Sequence, residues 1–371
     1  MTTVADILKI VETIYPPDLA EEWDRIGLQL GDPGATVTGV ATALESDLGT
    51  VRDAVARGAN CLVAHHPLLF HPLKRVTPGD PIGAIVMEAI KRDVTIIAAH
   101  TNADWAEGGL NDHLAAQLGL LDVRPMTPLP THQEYKLVTF IPHENIEAVT
   151  DAMFAAGAGV IGDYEKCSYQ IDGHGTFLPG EGADPYSGEK GKVAREAEVR
   201  VEVIVPDKKL KAVVDALWEA HPYEEPAYDV YPLKTNPRNA GALRMGRLEA
   251  ALSVSEIIEK LKAVLGVEHL RAAGPAKDVV THVAICTGGG AVYLPSLPKS
   301  PKTLFITGDV KYHDAVDATR LGVPLVDAGH FASEISFADL TARKLRERLA
   351  AMGSDIPVHA LAVEIDPLRT V

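Results

Sequence analysis

The chain has 371 residues, of which 46% are hydrophobic and 23% charged, a composition typical of a globular protein with two or three domains. Its 35 Lys and Arg against 51 Asp and Glu give a formal net charge of −16. Such a charge disfavours binding to nucleic acid and to anionic membrane surfaces, and no apolar stretch reaches the roughly 20 residues of a membrane-spanning helix.

The amino terminus and the cysteines both predict a reduced, cytoplasmic protein. The first residues include acidic side chains and no continuous apolar segment, unlike a secretory signal. Cys61, Cys167 and Cys286 are far apart and form no CxxC pair. We therefore expect buried thiols rather than disulfides or a thiolate metal site.

Two proline-rich stretches, residues 124–130 and 231–237, predict linkers, because proline at this density continues neither a helix nor a central strand. They divide the chain into segments 1–128, 129–235 and 236–371. The first segment alternates helical and strand patterns, which predicts a parallel sheet covered by helices. Its predicted elements are a helix at 4–11, strands at 37–44, 61–64 and 94–99, and helices at 48–57 and 82–92.

The third segment repeats this pattern and the middle segment does not. The third has a predicted helix at 255–265 and strands at 279–286, 304–307, 323–326 and 358–365. The middle has strands at 137–141, 164–177, 199–205 and 228–233 and helices at 146–155 and 208–218, the βαββαβ order of a ferredoxin-like unit. The predicted fold is therefore an α/β domain built from the two end segments and interrupted by a ferredoxin-like α+β insert.

Polar residues follow four of the predicted strands. They are His65 and His66, His100 and Asp104, Asp309 with Lys311 and His313, and Asp327 with His330 and Glu334. Because ligands of open α/β sheets bind beyond the carboxyl ends of the strands, we expect these side chains to converge if the strands are neighbours.

The residue types in this set indicate a divalent transition-metal site, since imidazole and carboxylate without Cys suit ions such as Zn, Fe or Mn. His330 and Glu334, four residues apart, share one face of a predicted helix. The adjacent His65 and His66 point apart, so they serve two metals, or one metal if the backbone bends. Three His, one Asp and one Glu are too many for one open site and suit two metals that share bridging carboxylates.

Charge favours an anionic or oxygen-rich substrate, because two divalent ions bring +4 and two carboxylates return only −2. Three other features have both a functional and a structural interpretation. Lys311 and His313 either contact substrate or lie in a solvated first helical turn. Gly288-Gly-Gly290 either cradles phosphate or forms a plain turn, and His174 and His221 are interpreted as structural or surface residues. No GxSxG, P-loop or GxGxxG fingerprint is present.

Four motifs resemble those of the Nif-three-like family, and the resemblance covers essentially the whole chain. They are residues 64–70 (AHHPLLF), 100–104 (HTNAD) with 109–111 (GLN), 307–313 (TGDVKYH) and 327–334 (DAGHFASE). Members of this family are dinuclear-metal proteins that form hexameric rings and are often labelled GTP cyclohydrolase 1 type 2 homologs. The longer members contain an insert similar to PII and CutA proteins, and residues 221–228 (HPYEEPAY) resemble the end of that insert.

The resemblance implies a ligand set, a cofactor and an assembly. The implied metal ligands are His65, His66, Asp104, His330 and Glu334, which would hold two divalent ions per chain (Zn, Fe or Mn). The implied assembly is a toroidal homohexamer with the metal sites facing an internal cavity. The chain departs from the family at Glu45, where relatives usually have Asp, and at Gly288, where a common serine is missing.

The leading hypothesis is a metal-dependent hydrolase of a heterocyclic or nucleotide-like small molecule, with GTP ring opening as the most specific candidate. In it, Lys311 or His313 assists proton transfer or anion binding. The alternative is a metal-binding regulatory or scaffold hexamer without catalysis, in which the insert senses a metabolite or partner. An open coordination position favours the enzyme and a closed one favours the scaffold. A ring that encircles nucleic acid is a third possibility, which the net charge opposes.

Overall fold

A computed structural model describes residues 2–126, 134–162, 164–233, 239–274, 279–300 and 302–369. The chain divides into two compact units with a mixed α/β fold. The first unit consists of Met1–Leu129 and Asn239–Val371, and the second of Pro130–Arg238. In the described part of the chain, no helix is long and apolar enough to cross a membrane.

The first part of the first unit contains five helices and five strands within its described residues. The helices are α1 Val4–Ile14, α2 Leu48–Ala56, α3 Pro81–Lys91, α4 Thr101–Trp105 and α5 Leu110–Gln117. The strands are β1 Gly27–Leu30, β2 Val40–Ala43, β3 Cys61–Ala64, β4 Thr95–Ala98 and β5 Leu121–Pro125. Every residue of β2, β3 and β4 is buried, as expected for strands covered on both faces.

The second unit is a four-stranded antiparallel sheet with two helices. Its elements are β6 Glu134–Pro142, α6 Ile146–Ala155, β7 Ser168–Phe177, β8 Ala194–Pro206, α7 Asp207–Ala220 and β9 Tyr228–Pro232. The strands are arranged in the order β7-β8-β6-β9. Alternate residues of β8, including Val201, Val203 and Val205, pack on Leu137 and on the apolar stripe of the helices, which forms the core of this unit.

The first unit resumes with six strands and four helices among its described residues. The strands are β10 Arg244–Ser253, β11 Arg271–Ala273, β12 Val279–Ile285, β13 Thr303–Thr307, β14 Leu325–Asp327 and β15 Val358–Ala360. The helices are α8 Val254–Leu265, α9 Tyr312–Leu321, α10 His330–Glu334 and α11 Phe337–Ala351.

These strands form two mixed sheets, ordered β1-β4-β3-β2-β15 and β11-β14-β13-β12-β10-β5. In the first sheet β15, β2, β3 and β4 are parallel, and in the second β12, β13 and β14 are parallel. The edge strands β1, β5 and β11, together with β10, pair antiparallel. The predicted parallel arrangement is therefore correct for β15, β2, β3 and β4 and for β12, β13 and β14, but wrong for the neighbours of these two groups.

The sequence-based elements omit three helices, α4, α5 and α11, and several strands at or near the sheet edges. The sequence pattern predicted no strand at β1, β5, β10 or β11. Arg124 and Pro125, assigned to a linker, are the last residues of β5, because Pro is tolerated at the end of an edge strand. Of the two predicted linkers, residues 127–130 and 234–237 lie outside the described residues. The strand predicted at 358–365 ends at Ala360.

Candidate metal centre

His65 and His66 follow the carboxyl end of β3, and each has its Nδ1 atom engaged by an oxygen. His65 Nδ1 lies 2.9 Å from the carbonyl oxygen of Ala99, and His66 Nδ1 lies 2.6 Å from Glu45 Oε1. Donation from Nδ1–H to an oxygen acceptor leaves Nε2 as the atom that can bind a metal. Glu45 thus orients His66.

His100 and His330 have the same arrangement at two other strand ends. His100 Nδ1 lies 2.8 Å from Asp24 Oδ1, and His330 Nδ1 lies 2.7 Å from Asp309 Oδ2. All four imidazoles are therefore held through Nδ1, three of them by a carboxylate. This pairing fixes the ring orientation and is the usual support of metal-binding histidines.

Glu334 lies among the rings of His65, His66 and His330, and its two carboxylate oxygens face different partners. Oε1 is 3.7 Å from His65 Nε2, while Oε2 is 3.0 Å from both His66 Nε2 and His330 Nε2. Asp104, on α4, places Oδ1 3.7 Å from His65 Nε2. Because α10 begins directly after β14, this cluster joins the strand ends of both sheets.

Three groups of ligand atoms, each within 4.8 Å of one another, occur among the described residues. They are His65, Asp104 and Glu334; His66, His330 and Glu334; and His65, His66 and His100. The structure thus brings together all five residues that the sequence analysis proposed as ligands, and it adds His100.

His65 provides the clearest test of whether a metal ion fits. Its side chain is fully buried, yet no described group forms a hydrogen bond with Nε2. The carboxylate oxygens of Asp104 and Glu334 lie 3.7 Å from Nε2, too far for a hydrogen bond. Two ligands that each bind one ion at about 2.1 Å in tetrahedral geometry lie roughly 3.4 Å apart, so this spacing suits a shared divalent ion.

The histidines and carboxylates of the cluster shift one another's pKa values strongly. Burial lowers the pKa of His65 to about 4. Burial also opposes the charged form of His66, but hydrogen bonds to Glu334 and Glu45 outweigh it and raise its pKa to about 10. Burial favours the neutral form of Glu334, but the surrounding histidines hold its pKa well below its usual value.

The pKa of Asp104 is shifted in the opposite direction to that of Glu334. Burial, reinforced by the charge of Glu334, raises the pKa of Asp104 well above its usual value. Two buried carboxylates close to one another cannot both ionise without a compensating cation. A divalent ion supplies that compensation, so the residues present fit a metal.

The glycine turn after β12 has a structural role beside Glu334. Gly288 has φ +61°, and a Cβ at this position would lie 2.0 Å from Glu334 Oε1. Its N–H donates to Ser333 Oγ, and the Gly290 N–H donates to Thr307 Oγ1. With two of the three amides engaged, the turn interpretation is favoured over the phosphate cradle.

The structure places the remaining sequence candidates outside the three groups. Lys311 and His313 are exposed at the start of α9, where the Lys311 N–H donates to Asp314 and the His313 ring contacts Tyr312. His174 and His221 belong to the second unit. The three cysteines are free; Cys61 and Cys286 are buried as expected, whereas Cys167 is only partly buried.

Several supporting residues were not found from the sequence. No sequence motif around Asp24 indicates its role, because its partner His100 lies 76 residues further along the chain. Thr287 Oγ1 lies 3.2 Å from Asp104 Oδ1, and it also follows a strand. Arg244 is fully buried, pairs with Asp112, and donates to the carbonyl of Trp105, the last residue of α4. The signal for Thr287 was its position after a strand, but its small side chain gave no reason to select it.

The fold and this cluster together define an α/β protein with a candidate His/carboxylate metal centre. A model of the Duf34/NIF3 family (NGG1p interacting factor 3) matches residues 2–367, and the chain belongs to this family.

Similar proteins span nearly the whole chain. A protein of Halalkalibacterium halodurans named GTP cyclohydrolase 1 type 2 homolog is 36% identical over 365 residues, covering 98% of this chain and 98% of its own. The solved structure of a Bacillus cereus protein related to NIF3 is similar, with a TM-score of 0.74 and 37% identity, covering 100% of this chain and 99% of that one. Staphylococcus aureus protein SA1388 has a TM-score of 0.80 and 26% identity, with the same coverage.

Proposed function

We propose that the protein is a metal-dependent hydrolase that holds two divalent ions per chain, drawn from Zn, Fe and Mn. The observation that carries this proposal is the position of Glu334, whose two oxygens face two different sets of imidazole nitrogens. A carboxylate that faces two ligand groups is the usual bridge of a dinuclear site.

The two ligand sets divide at Glu334. His65 and Asp104 complete one set with Oε1, and His66 and His330 complete the other with Oε2. Bound divalent cations supply Lewis-acid activation of water and polarisation of a substrate oxygen. With three protein ligands in each set, both leave coordination positions for water and substrate, which supports an enzyme over a closed structural site.

His100 is the residue of this cluster best placed to move a proton. Asp24 holds its Nδ1–H, so Nε2 is the atom that accepts or delivers a proton, as in other carboxylate-oriented histidines. The ring of His100 lies 5.2 Å from that of His65 and 5.5 Å from that of His66. We assign proton transfer to His100 and leave anion binding to the exposed Lys311 and His313.

The proposed substrate is a heterocyclic or nucleotide-like small molecule. Coordination positions left open by the two ligand sets accept substrate oxygen atoms, which supports an oxygen-rich small molecule. The name of the Halalkalibacterium halodurans relative makes GTP the first substrate to test.

The test combines metal analysis with GTP turnover. We expect about two ions per wild-type chain by mass spectrometry, loss of both ions and of turnover in Glu334→Ala, and loss of one ion together with turnover in His65→Ala. His269→Ala and Glu268→Ala are matched controls, because these side chains are exposed in the same unit and are 70% and 94% accessible. Turnover that persists without metal contradicts the proposal, and bound metal without turnover of GTP or related heterocycles favours the scaffold alternative.

We further propose that the second unit is a ferredoxin-like insert similar to PII and CutA proteins and that the chain forms a toroidal homohexamer. The βαββαβ order and the strand order β7-β8-β6-β9 support the first point. Exposed apolar side chains near the carboxyl terminus, Ile365 (85%) and Leu368 (79%), support an assembled state. Sedimentation at several concentrations tests it, and a stable monomer contradicts the hexamer.

A further inference from the structure

The second unit contains a cavity of about 440 Å³, which is within the usual size range of small-molecule sites. Side chains of β6, β7 and β8, the segment 179–187 and the segment 223–227 line it. The last of these belongs to the HPYEEPAY motif (221–228), to which the proposed metal chemistry gives no role. All lining residues belong to one compact unit.

Aromatic rings form much of the cavity wall. Tyr223 is central, with its ring centroid 6.3 Å from that of Phe177 and 5.8 Å from that of Tyr186. Phe140 lines the cavity as well. The faces of these rings carry negative electrostatic potential, so a group of rings around a cavity attracts a cation.

A buried carboxylate adds negative charge to this wall. Glu198 is only 6% exposed, and its Oε1 accepts a hydrogen bond of 2.8 Å from the Tyr223 hydroxyl. No described group donates a hydrogen bond to Oε2. Glu224 and Glu225 also line the cavity, and no Lys or Arg is among the described lining residues. A buried carboxylate with a free oxygen gains most from a partner that carries positive charge.

The histidine beneath Tyr223 does not supply that charge. His221 Nδ1 accepts a hydrogen bond from the Tyr223 N–H, so its Nε2–H donates to the carbonyl of Phe140. Both ring nitrogens are thereby engaged in a neutral tautomer, and burial lowers the pKa of His221. The imidazole therefore positions Tyr223 and stays neutral, and His174 is the histidine that lines the cavity itself.

Strand β7 is built to leave room for Glu198. A Cβ at Gly175 would lie 2.2 Å from Glu198 Oε2, so only glycine allows the carboxylate to lie across this strand. Glycine inside a strand commonly marks the close approach of another group. The absence of a side chain at Gly175, the buried acid Glu198 and the aromatic rings therefore fit together as one binding site.

The chemistry of this site differs from that of a metal centre. Among the described residues, every group of three or more metal-ligating atoms lies in the first unit and none lies around Glu198. We propose that the cavity binds a small organic cation, with an ammonium group at Glu198 and the faces of Tyr223 and Phe177 and an apolar body along the remaining wall. This inference is independent of the proposed hydrolase.

Choline is the probe that tests this proposal, and calorimetry on the intact wild-type chain is the measurement. Its neutral isostere, with a tert-butyl group in place of the trimethylammonium group, has the same shape without the charge. We expect choline to bind about tenfold more tightly than the isostere, because the rings and Glu198 attract only the cation. Equal affinities, or no heat with millimolar choline, overturn the proposal.

Two variants test whether choline binds in this cavity. Glu198→Gln keeps the shape of the side chain and should weaken choline binding about tenfold, while Asp172→Asn should leave it unchanged. Asp172 is the matched control, because it lies on β7, is 85% accessible and does not line the cavity. Near-UV circular dichroism verifies the fold of both variants. An unchanged affinity in Glu198→Gln, or an equal loss in Asp172→Asn, overturns the assignment.

Discussion

The candidate metal centre of the first unit and the cavity of the second unit each contain one buried glutamate, yet the surroundings of the two acids differ in kind. Glu334 is 3% exposed and faces imidazole nitrogens, whereas Glu198 is 6% exposed and faces a phenol hydroxyl and aromatic rings. Imidazole lone pairs suit compact divalent ions, while aromatic faces suit diffuse organic cations. The type of cation that a buried carboxylate binds therefore depends more on the neighbouring side chains than on the carboxylate itself.

The largest expected effect comes from Glu334→Gln, which removes charge from both ligand sets. We expect metal content to fall from about two ions per chain to well below one, since both sets lose an anionic ligand. His330→Ala should remove one ion only, because the set of His65 and Asp104 remains. Mass spectrometry after gel filtration measures both, and choline affinity should not change in either variant. Equal metal loss in the two variants would contradict the bridging position of Glu334.

Removal of the metal should lower the thermal stability of the wild-type chain. An ion that binds only the folded state, and whose free concentration is about 100 times its Kd, stabilises that state by about 2.7 kcal/mol. A chelator followed by desalting should therefore lower the Tm, and added Zn or Mn should restore it. Glu334→Gln is the control and should show little response to the chelator. An unchanged wild-type Tm would mean that the buried acids have no bound cation to lose.

Gly288→Ala should disturb the metal centre through the backbone. The φ of +61° disfavours any Cβ, and this Cβ would meet Glu334 Oε1. We expect a loss of about 1–3 kcal/mol in the free energy of unfolding, together with weaker metal binding. Gly289→Ala is the matched control, because its new Cβ would lie no closer than 3.6 Å to Asp309. Chemical denaturation compares them, and equal losses would refute the special role of Gly288.

Asp309→Asn should have the smallest effect of this series. Asparagine tolerates the φ of +54° at this position, so the change removes only the carboxylate that orients His330. Loss of such a supporting partner lowers metal affinity by about 10–100-fold. Competition with a fluorescent chelator measures this affinity, with the exposed Asp317→Asn as the control. An affinity equal to wild type would show that the His330 ring is held by its surroundings without Asp309.

The inner strands and the residues after them were predictable from the sequence for a physical reason. A strand covered on both faces is a short apolar run, and β3 and β4 are such runs, each followed at once by polar residues. The helix that carries His330 and Glu334 was predicted for the same kind of reason, since a spacing of four residues places both on one face.

What the sequence did not show depends on contacts between distant parts of the chain. Edge strands such as β5 and β11 are mostly exposed, so they lack an apolar signature. The division of the predicted strands between two sheets was not predicted, because local patterns contain no information on strand order. His100 was placed at a strand end but not among the ligands, and its partner Asp24 has no pattern of its own.

The pairing of β5 with β10 has a consequence for the history of this chain. Pro125 lies opposite Arg244 and Arg124 opposite Met245, so the chain leaves the first unit and returns to it at adjacent positions of one sheet. The second unit thus occupies the place of a hairpin turn. A single insertion or deletion at this point can add or remove the whole second unit without changing the strand order of the sheet, because both ends of the unit meet at neighbouring residues of β5 and β10.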